Sequence, residues 1–348
     1  MTKSVYGTEP FIKLNAYDFL INNNIVYTKI DNLFVKSVKE KIIQEYGSLR
    51  QYNLQKLKIC YGTLKYNFSI GRYFKLTRLL KIAQDINLSK EEVFNHISAF
   101  FAIGSHTSRE LILQKEFIIN ENFVEGYSLY LAEGDSGLNG FTKPRKVRFT
   151  NSELSIVRYF IEWVRRHFPG NYFYLNIIYP QTDVPISRLT ESIKSYLELK
   201  DDQIRVKKGY YNKKLKYRVC LDQAILIDFI LSLEKIIKKA CTHNKALATS
   251  YIRGMMAGEG TVYFKKSRYV RIEMKNEREI KYLSSLFKLF GYKYTISSRS
   301  TRKNMWSIYV GAKQLKKFYN EIGFGSHKGR QAILKMAVDK KLKVNQFF

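Results

Sequence analysis

Cysteine is scarce in this chain, and so is negative charge. The three cysteines (Cys60, Cys220 and Cys241) are odd in number and far apart. No CxxC or Cys/His pair has zinc spacing, so neither a disulfide framework nor a structural zinc site is expected, and a reducing compartment is the natural setting. No run approaches the roughly 18 apolar residues of a membrane span, and Met1–Gly7 carries no apolar signal-peptide core. The expectation is a cytoplasmic protein without a membrane partner. Only 30 Asp and Glu stand against 60 Lys and Arg, leaving +30 at neutral pH. Such a charge points to a polyanionic partner, either nucleic acid or an anionic membrane surface. With 45% hydrophobic residues, 26 Tyr and 23 Phe in 348 residues, the chain can bury real cores and divides into two or three domains; it is no disordered basic tail.

Two short stretches organise the rest. One is Gly126–Asp135 (GYSLYLAEGD) and the other is Ile252–Gly260 (IRGMMAGEG). Each reads as an apolar helix with small residues four apart, Ser128 and Ala132 in the first and Gly254 and Gly258 in the second. Each closes with an acid and a glycine, Glu133-Gly134 and Glu259-Gly260. A small-residue face lets two helix backbones approach closely. If these two helices pack together, Glu133 and Glu259 arrive side by side. Two adjacent carboxylates repel unless a cation sits between them. Mg²⁺, or Mn²⁺ in its place, accepts hard oxygen ligands and serves phosphodiester hydrolysis.

The chain before this pair is helical in rhythm. Asp31 caps a helix to about Tyr46; others follow over Leu49–Leu57, Thr63–Phe68 and Leu76–Ile86, and Ser89 caps a last one. Residues 1–104 are therefore read as a small all-α domain of helix-turn-helix type, with Tyr61, Thr63, Lys65 and Tyr66 as candidate major-groove contacts. The plainer alternative is a helical bundle that only supports the rest. Residues 105–122 read as a connector, 123–239 as a first half, 240–247 as a linker, and 248–348 as a second half ending in a basic helix.

Strand patterns follow each acid. Gly137–Thr142 and Arg145–Thr150 come first, with Lys146 and Arg148 opposite Val147 and Phe149. An inserted helix is expected over Pro185–Leu199. Ile204–Lys208 and Lys214–Leu221 read as a hairpin, with Arg205 and Lys207 on one face and Lys216 and Arg218 on the return strand. In the second half Lys265, Arg271, Lys293 and Arg299 alternate with apolar residues. Period-two alternation of this kind puts a basic ladder on one side of a sheet, suited to phosphates and base edges.

The paired motifs resemble those of LAGLIDADG homing endonucleases, with Gly126–Gly134 and Ile252–Gly260 in the nine-residue register. Ser128 departs from the family's internal glycine, Tyr127 from its alanine, and glutamate replaces aspartate in both copies. The resemblance implies an α+β fold: a pseudo-twofold pair of αββαββα halves forming a DNA-binding saddle behind the helical N-terminal domain. It implies Glu133 and Glu259 as metal ligands, and Ser128, Ala132, Gly134, Gly254, Gly258 and Gly260 as packing positions. By position after the second strand, Lys275 matches the family's catalytic basic residue, with Asn151 as its first-half counterpart. The implied activity is site-specific cleavage of both strands of double-stranded DNA, with short 3′ overhangs, by a monomer. Two alternatives stay open: an RNA maturase acting on intron RNA with the same scaffold, and a DNA-binding regulator whose nuclease centre is idle.

Overall fold

The computed structural model describes residues 11–23, 25–71, 73–102, 109–135, 145–179, 186–209, 214–265, 267–298 and 304–339. The N-terminal part runs β1 (Ile12–Asn15), β2 (Val26–Ile30), α1 (Asn32–Tyr46), α2 (Leu49–Tyr52), α3 (Tyr61–Tyr66), β3 (Tyr73–Lys75), α4 (Leu76–Asp85), α5 (Lys90–Asn95), β4 (Ile97–Ala102) and β5 (Glu116–Ile119). The first half follows as α6 (Glu121–Glu133), β6 (Gly134–Asp135), β7 (Val147–Asn151), α7 (Leu154–His167), β8 (Tyr174–Tyr179), α8 (Ile186–Leu197), β9 (Ile204–Lys208), β10 (Lys216–Leu221), α9 (Ala224–Ser232) and α10 (Glu234–His243). The second is α11 (Lys245–Glu259), β11 (Gly260–Phe264), β12 (Arg268–Met274), α12 (Glu277–Leu289), β13 (Tyr294–Ser298), β14 (Trp306–Gly311), α13 (Leu315–Glu321) and α14 (Lys328–Asp339).

The fold is α+β, and its two halves repeat one plan. The second sheet has the order β11-β12-β14-β13, and the first has β6-β7-β10-β8 with β9 added at the edge. Gly134 pairs with Phe149 and Gly260 with Ile272, so the two sheets share one register. The long helices of the two motifs, α6 and α11, begin on asparagine caps. Asn120 accepts the Phe123 amide at 2.9 Å, and Asn244 accepts that of Leu247 at 3.1 Å. They end identically: Gly134 (φ −78°, ψ 155°) and Gly260 (φ −75°, ψ 155°) each donate an amide four residues back, to Tyr130 and Met256. Neither glycine needs a left-handed conformation. Each is required because a Cβ would collide with that same carbonyl.

Helices α6 and α11 pack against each other more extensively than any other pair of elements. Equivalent small residues meet across the pseudo-twofold. A Cβ on Gly254 would fall on Ser128 Oγ and the Glu125 carbonyl, and one on Gly258 would lie 2.5 Å from the Ala132 Cβ. Ser128 is tolerated because its hydroxyl turns back to donate to Glu125 O at 3.0 Å.

Several expectations are corrected. The N-terminal part is not all-α. Its helices pack around a three-stranded antiparallel sheet, β3-β2-β4, whose strands are short and far apart in sequence. The connector contributes β5, which pairs with β1 and ties the start of the described chain to α6. Residues 240–247 are helical on either side of Asn244 and bury Cys241 and Leu247, with α10 packed against α11. Ile204–Lys208 and Lys214–Leu221 do not pair as a hairpin: β8 lies between β9 and β10, parallel to the first and antiparallel to the second. With four of its five residues exposed, β9 suits a sheet edge. Gly137–Thr142 lies outside the described residues.

Helix propensity alone predicts that Gly254→Ala stabilises the chain by about 1 kcal/mol. The close approach predicts the opposite, a loss of about 1–3 kcal/mol from overpacking. Denaturant unfolding decides between them, and an unchanged or raised midpoint would mean the helices do not touch there.

Candidate active site

The helix ends at Gly134 and Gly260 bring the last residue of each helix to a common point. Glu133 and Glu259 are partly desolvated there and electrostatically coupled. Burial, and then the Glu259 charge, push the Glu133 carboxyl up to about 7, while Arg330 and Lys216 act in the other direction. Burial also raises Glu259, with Glu273 adding to the shift and Arg330 opposing it. Glu133 is partly buried and Glu259 exposed, and two carboxylates so placed favour a hard cation. Among the described residues no group of three His, Cys, Asp or Glu side chains clusters as a metal site. A cation held by this pair would therefore complete its shell with water and substrate oxygens, which suits Mg²⁺.

Sequence reading missed Arg330, the third residue of α14. Its Nη1 donates to the carbonyls of Met256 (3.3 Å), Ala257 (2.8 Å) and Gly258 (2.7 Å). Met256 O also accepts the Gly260 amide, but helix α11 would otherwise leave the Ala257 and Gly258 carbonyls unpaired at its negative pole, just before Glu259. The same guanidinium feels the charges of Glu133, Glu259 and Glu153. A turn with two left-handed glycines, Gly323 (φ 65°) and Gly325 (φ 48°), carries the chain into α14. The G-x-G spacing was the one signal in the sequence, and it marks the turn without revealing its target. Beside it, Arg253 bonds the Ile322 carbonyl at 2.7 Å and Glu125 at 3.2 Å, anchoring this segment across the interface.

Lys275 is exposed and lines a cleft of about 280 Å³ with Glu259, Ala132, Glu234, Asn276 and Glu279. Its first-half counterpart is Ser152 and not Asn151. In the shared register Phe149 corresponds to Ile272, and three residues on from each lie Ser152 and Lys275.

The outward sheet faces carry the predicted basic residues, but in three different states. In the first half Arg148, Arg218, Lys216, Arg205 and Lys207 share one face by strand register. Lys216, Arg205 and Lys207 are exposed, Arg205 lying over the Tyr174 ring at 3.7 Å. Arg218 donates to Thr150 Oγ1 at 2.9 Å. Lys146 and Arg148 are held in ion pairs with Asp222 (3.0 Å) and Asp135 (3.1 Å) and are mostly buried. In the second half Lys265 and Lys293 are exposed. Arg271 is drawn to Glu273 at 3.4 Å and does not stand free. These three pairings correct the expectation of uniformly available cations; each arises because an acid occupies a neighbouring position on the same face. Arg299 lies outside the described residues.

Residues 246–323 match the family profile of the LAGLIDADG-like domain. That stretch covers most of the second half, and the first half repeats the strand order and helix cap found there. Similar solved structures include that of I-DmoI in complex with DNA and Mn, at 19% identity and a TM-score of 0.35 over 60% of this chain and 99% of that one. Full-length DUF199/WhiA from Thermatoga maritima is similar at 13% identity and a TM-score of 0.40 over 64% and 62%. No curated protein matches the chain. Among the described residues no helix is long and apolar enough to cross a membrane.

The Glu133 environment has a measurable consequence. The folded protein holds this proton to about pH 7, while the unfolded chain releases it near 4.5. Stability from this group is therefore intact below pH 4.5, falls as pH rises to 7, and stays reduced above it, by up to about 3 kcal/mol. Glu133→Gln should raise the melting temperature at pH 8 and leave it unchanged at pH 4. Added Mg²⁺ should stabilise the wild type at pH 8 more than the variant. A variant less stable than wild type at pH 8 would show that the carboxylate serves the fold.

Proposed function

We propose that the chain is a sequence-specific, divalent-metal-dependent endonuclease acting on double-stranded DNA. The observation that carries this reading is the pair of coupled carboxylates at the converging ends of α6 and α11, between two sheets whose outward faces bear Lys and Arg. Glu133 and Glu259 would hold Mg²⁺ or Mn²⁺. A cation held there lowers the pKa of a bound water and offsets charge on the phosphate. Hydrolysis forms one P–O bond to water oxygen and breaks one P–O bond of the backbone.

The chain's own residues divide the remaining work. Lys216, exposed and acting on Glu133, and Lys275, beside Glu259, would meet the phosphate, or take a proton from the attacking water and deliver one to the leaving oxygen. Lys265 and Lys293, with Arg205 and Lys207, would bind the backbone away from the scissile bond. Arg330 is a positioning residue: it fixes the end of α11 and keeps a cation beside both acids before metal arrives. Both motif copies lie in one chain, so a monomer supplies the whole centre.

Incubation with a randomised duplex plasmid library in Mg²⁺ should yield double-strand cuts at a selected sequence. Glu133→Gln and Glu259→Gln should each slow cutting by at least about 10²-fold while leaving duplex affinity unchanged. Tight binding of intron RNA without cutting would establish the maturase reading in its place. Duplex binding without cutting would establish an idle regulator.

A further inference from the structure

The N-terminal part contains a surface that the cleavage centre does not use. Helix α2 continues with wider π-type bonding over Asn53–Leu57, and the chain then turns sharply at Lys58, whose φ is +51°. The turn is fixed from inside. Asn53, 5% exposed, donates to Ile59 O at 2.8 Å and accepts the Ile59 amide at 3.2 Å. A second helix begins at once, α3, and runs on through Asn67–Gly71. This is a helix–turn–helix order, with the second helix held by its buried Leu64.

The remaining five residues of α3 all face solvent. Tyr61 is 40% exposed and Tyr66 53%, with Thr63 and Lys65 between them. These two outward tyrosines offer aromatic faces to a partner. Charge says what that partner is. From Tyr46 to Gln84 the sequence holds eight Lys or Arg and no Asp or Glu. The acids of this part lie outside that run, and two of them are engaged locally: Asp85 accepts from the Tyr52 hydroxyl at 2.9 Å, and Asp31 meets His96 at 2.6 Å. Nor does the unit hang on a loose tether. Leu111 bridges to Phe100 of β4, and Asn23 donates to Asp228 of the first half at 3.0 Å, so its placement relative to the cleavage centre is set.

We propose that α3 and the turn before it form a second surface for double-stranded DNA, extending recognition beyond the sheets. Tyr61, Thr63, Lys65 and Tyr66 face the duplex, with Lys56 and Lys58 on its phosphates. A protruding helix fits the wide major groove of B-form DNA and not the deep, narrow one of A-form RNA. The surface rests on its own observations and holds whether or not the acids cut.

Binding of the full chain to a mixed-sequence 40-base-pair duplex, measured in EDTA across a salt series, tests it. Lys56→Ala/Lys58→Ala should lower affinity on the order of 10-fold and flatten the slope of log K against log salt by about 2, one per lost phosphate contact. Both side chains are exposed, so melting should be unchanged. As a control on any folding defect, Thr63 replaced by a photo-crosslinking residue should label the duplex. Unchanged affinity and slope, or absence of labelling, overturns the proposal. Preferential labelling of a stem-loop RNA overturns it in favour of RNA. Weakened variants alongside absent cleavage in Mg²⁺ would fail the nuclease reading alone. Active cleavage with the variants binding like wild type would fail this one alone.

Discussion

Everything at the centre depends on how closely α6 and α11 can approach. Ser128 against Gly254 and Ala132 against Gly258 remove the side-chain layer that normally separates two helices, so backbone meets backbone. The closing glycines then let both chains leave the helices at the same angle into their sheets. Larger residues at these positions would separate the carboxylates, and the sheets with them. The same contact therefore builds the hydrophobic core and the spacing of the site, and the two cannot vary independently.

Close approach has an electrostatic cost, and the fold offsets part of it locally. Two helix C-termini and two carboxylates concentrate negative charge at one point. Arg330 answers from α14, satisfying three carbonyls of α11 while lying within reach of both acids. A permanent guanidinium cannot lose its proton in this setting, as a lysine could when desolvated. The sheets show a similar economy. Arg148 and Lys146 are held by Asp135 and Asp222, and Arg271 by Glu273, which keeps part of the +30 charge organised inside the protein. Exposed cations lie on β9, on β10, and on the flanks of β11 and β13, where water solvates them.

Much of this was legible in the sequence because it rests on local signals. The small-residue spacing at Ser128, Ala132, Gly254 and Gly258, the acid–glycine ends, and the alternation of Val147 and Phe149 with basic residues each follow from one element's own periodicity. What was not legible depends on contacts far apart in sequence. The position of β9 is set by which strand edge stays open, since IRVKK alternates as well in a hairpin as at an edge. The short strands β2, β3 and β4 exist because of one another. Residues 240–247 look like a linker by composition, but they are helical, with α10 packed against α11. Arg330 reaches its target through a two-glycine turn whose direction no local pattern encodes.

The unequal neighbours of the two acids carry a last consequence. In the shared register Thr150 stands where Glu273 does, Ser152 where Lys275 does, and Glu153 where Asn276 does. Glu259 therefore has an acid and a lysine close by, while Glu133 has Lys216. A perfectly symmetric pair would present one potential to both strands of a duplex. This pair presents two, because the charges around Glu133 and Glu259 differ. The two halves share a scaffold of helix, cap and sheet and differ at these three register positions. This part of the asymmetry lies in side chains around the acids, where backbone packing does not constrain them, so it leaves undisturbed the helix contact on which the site depends.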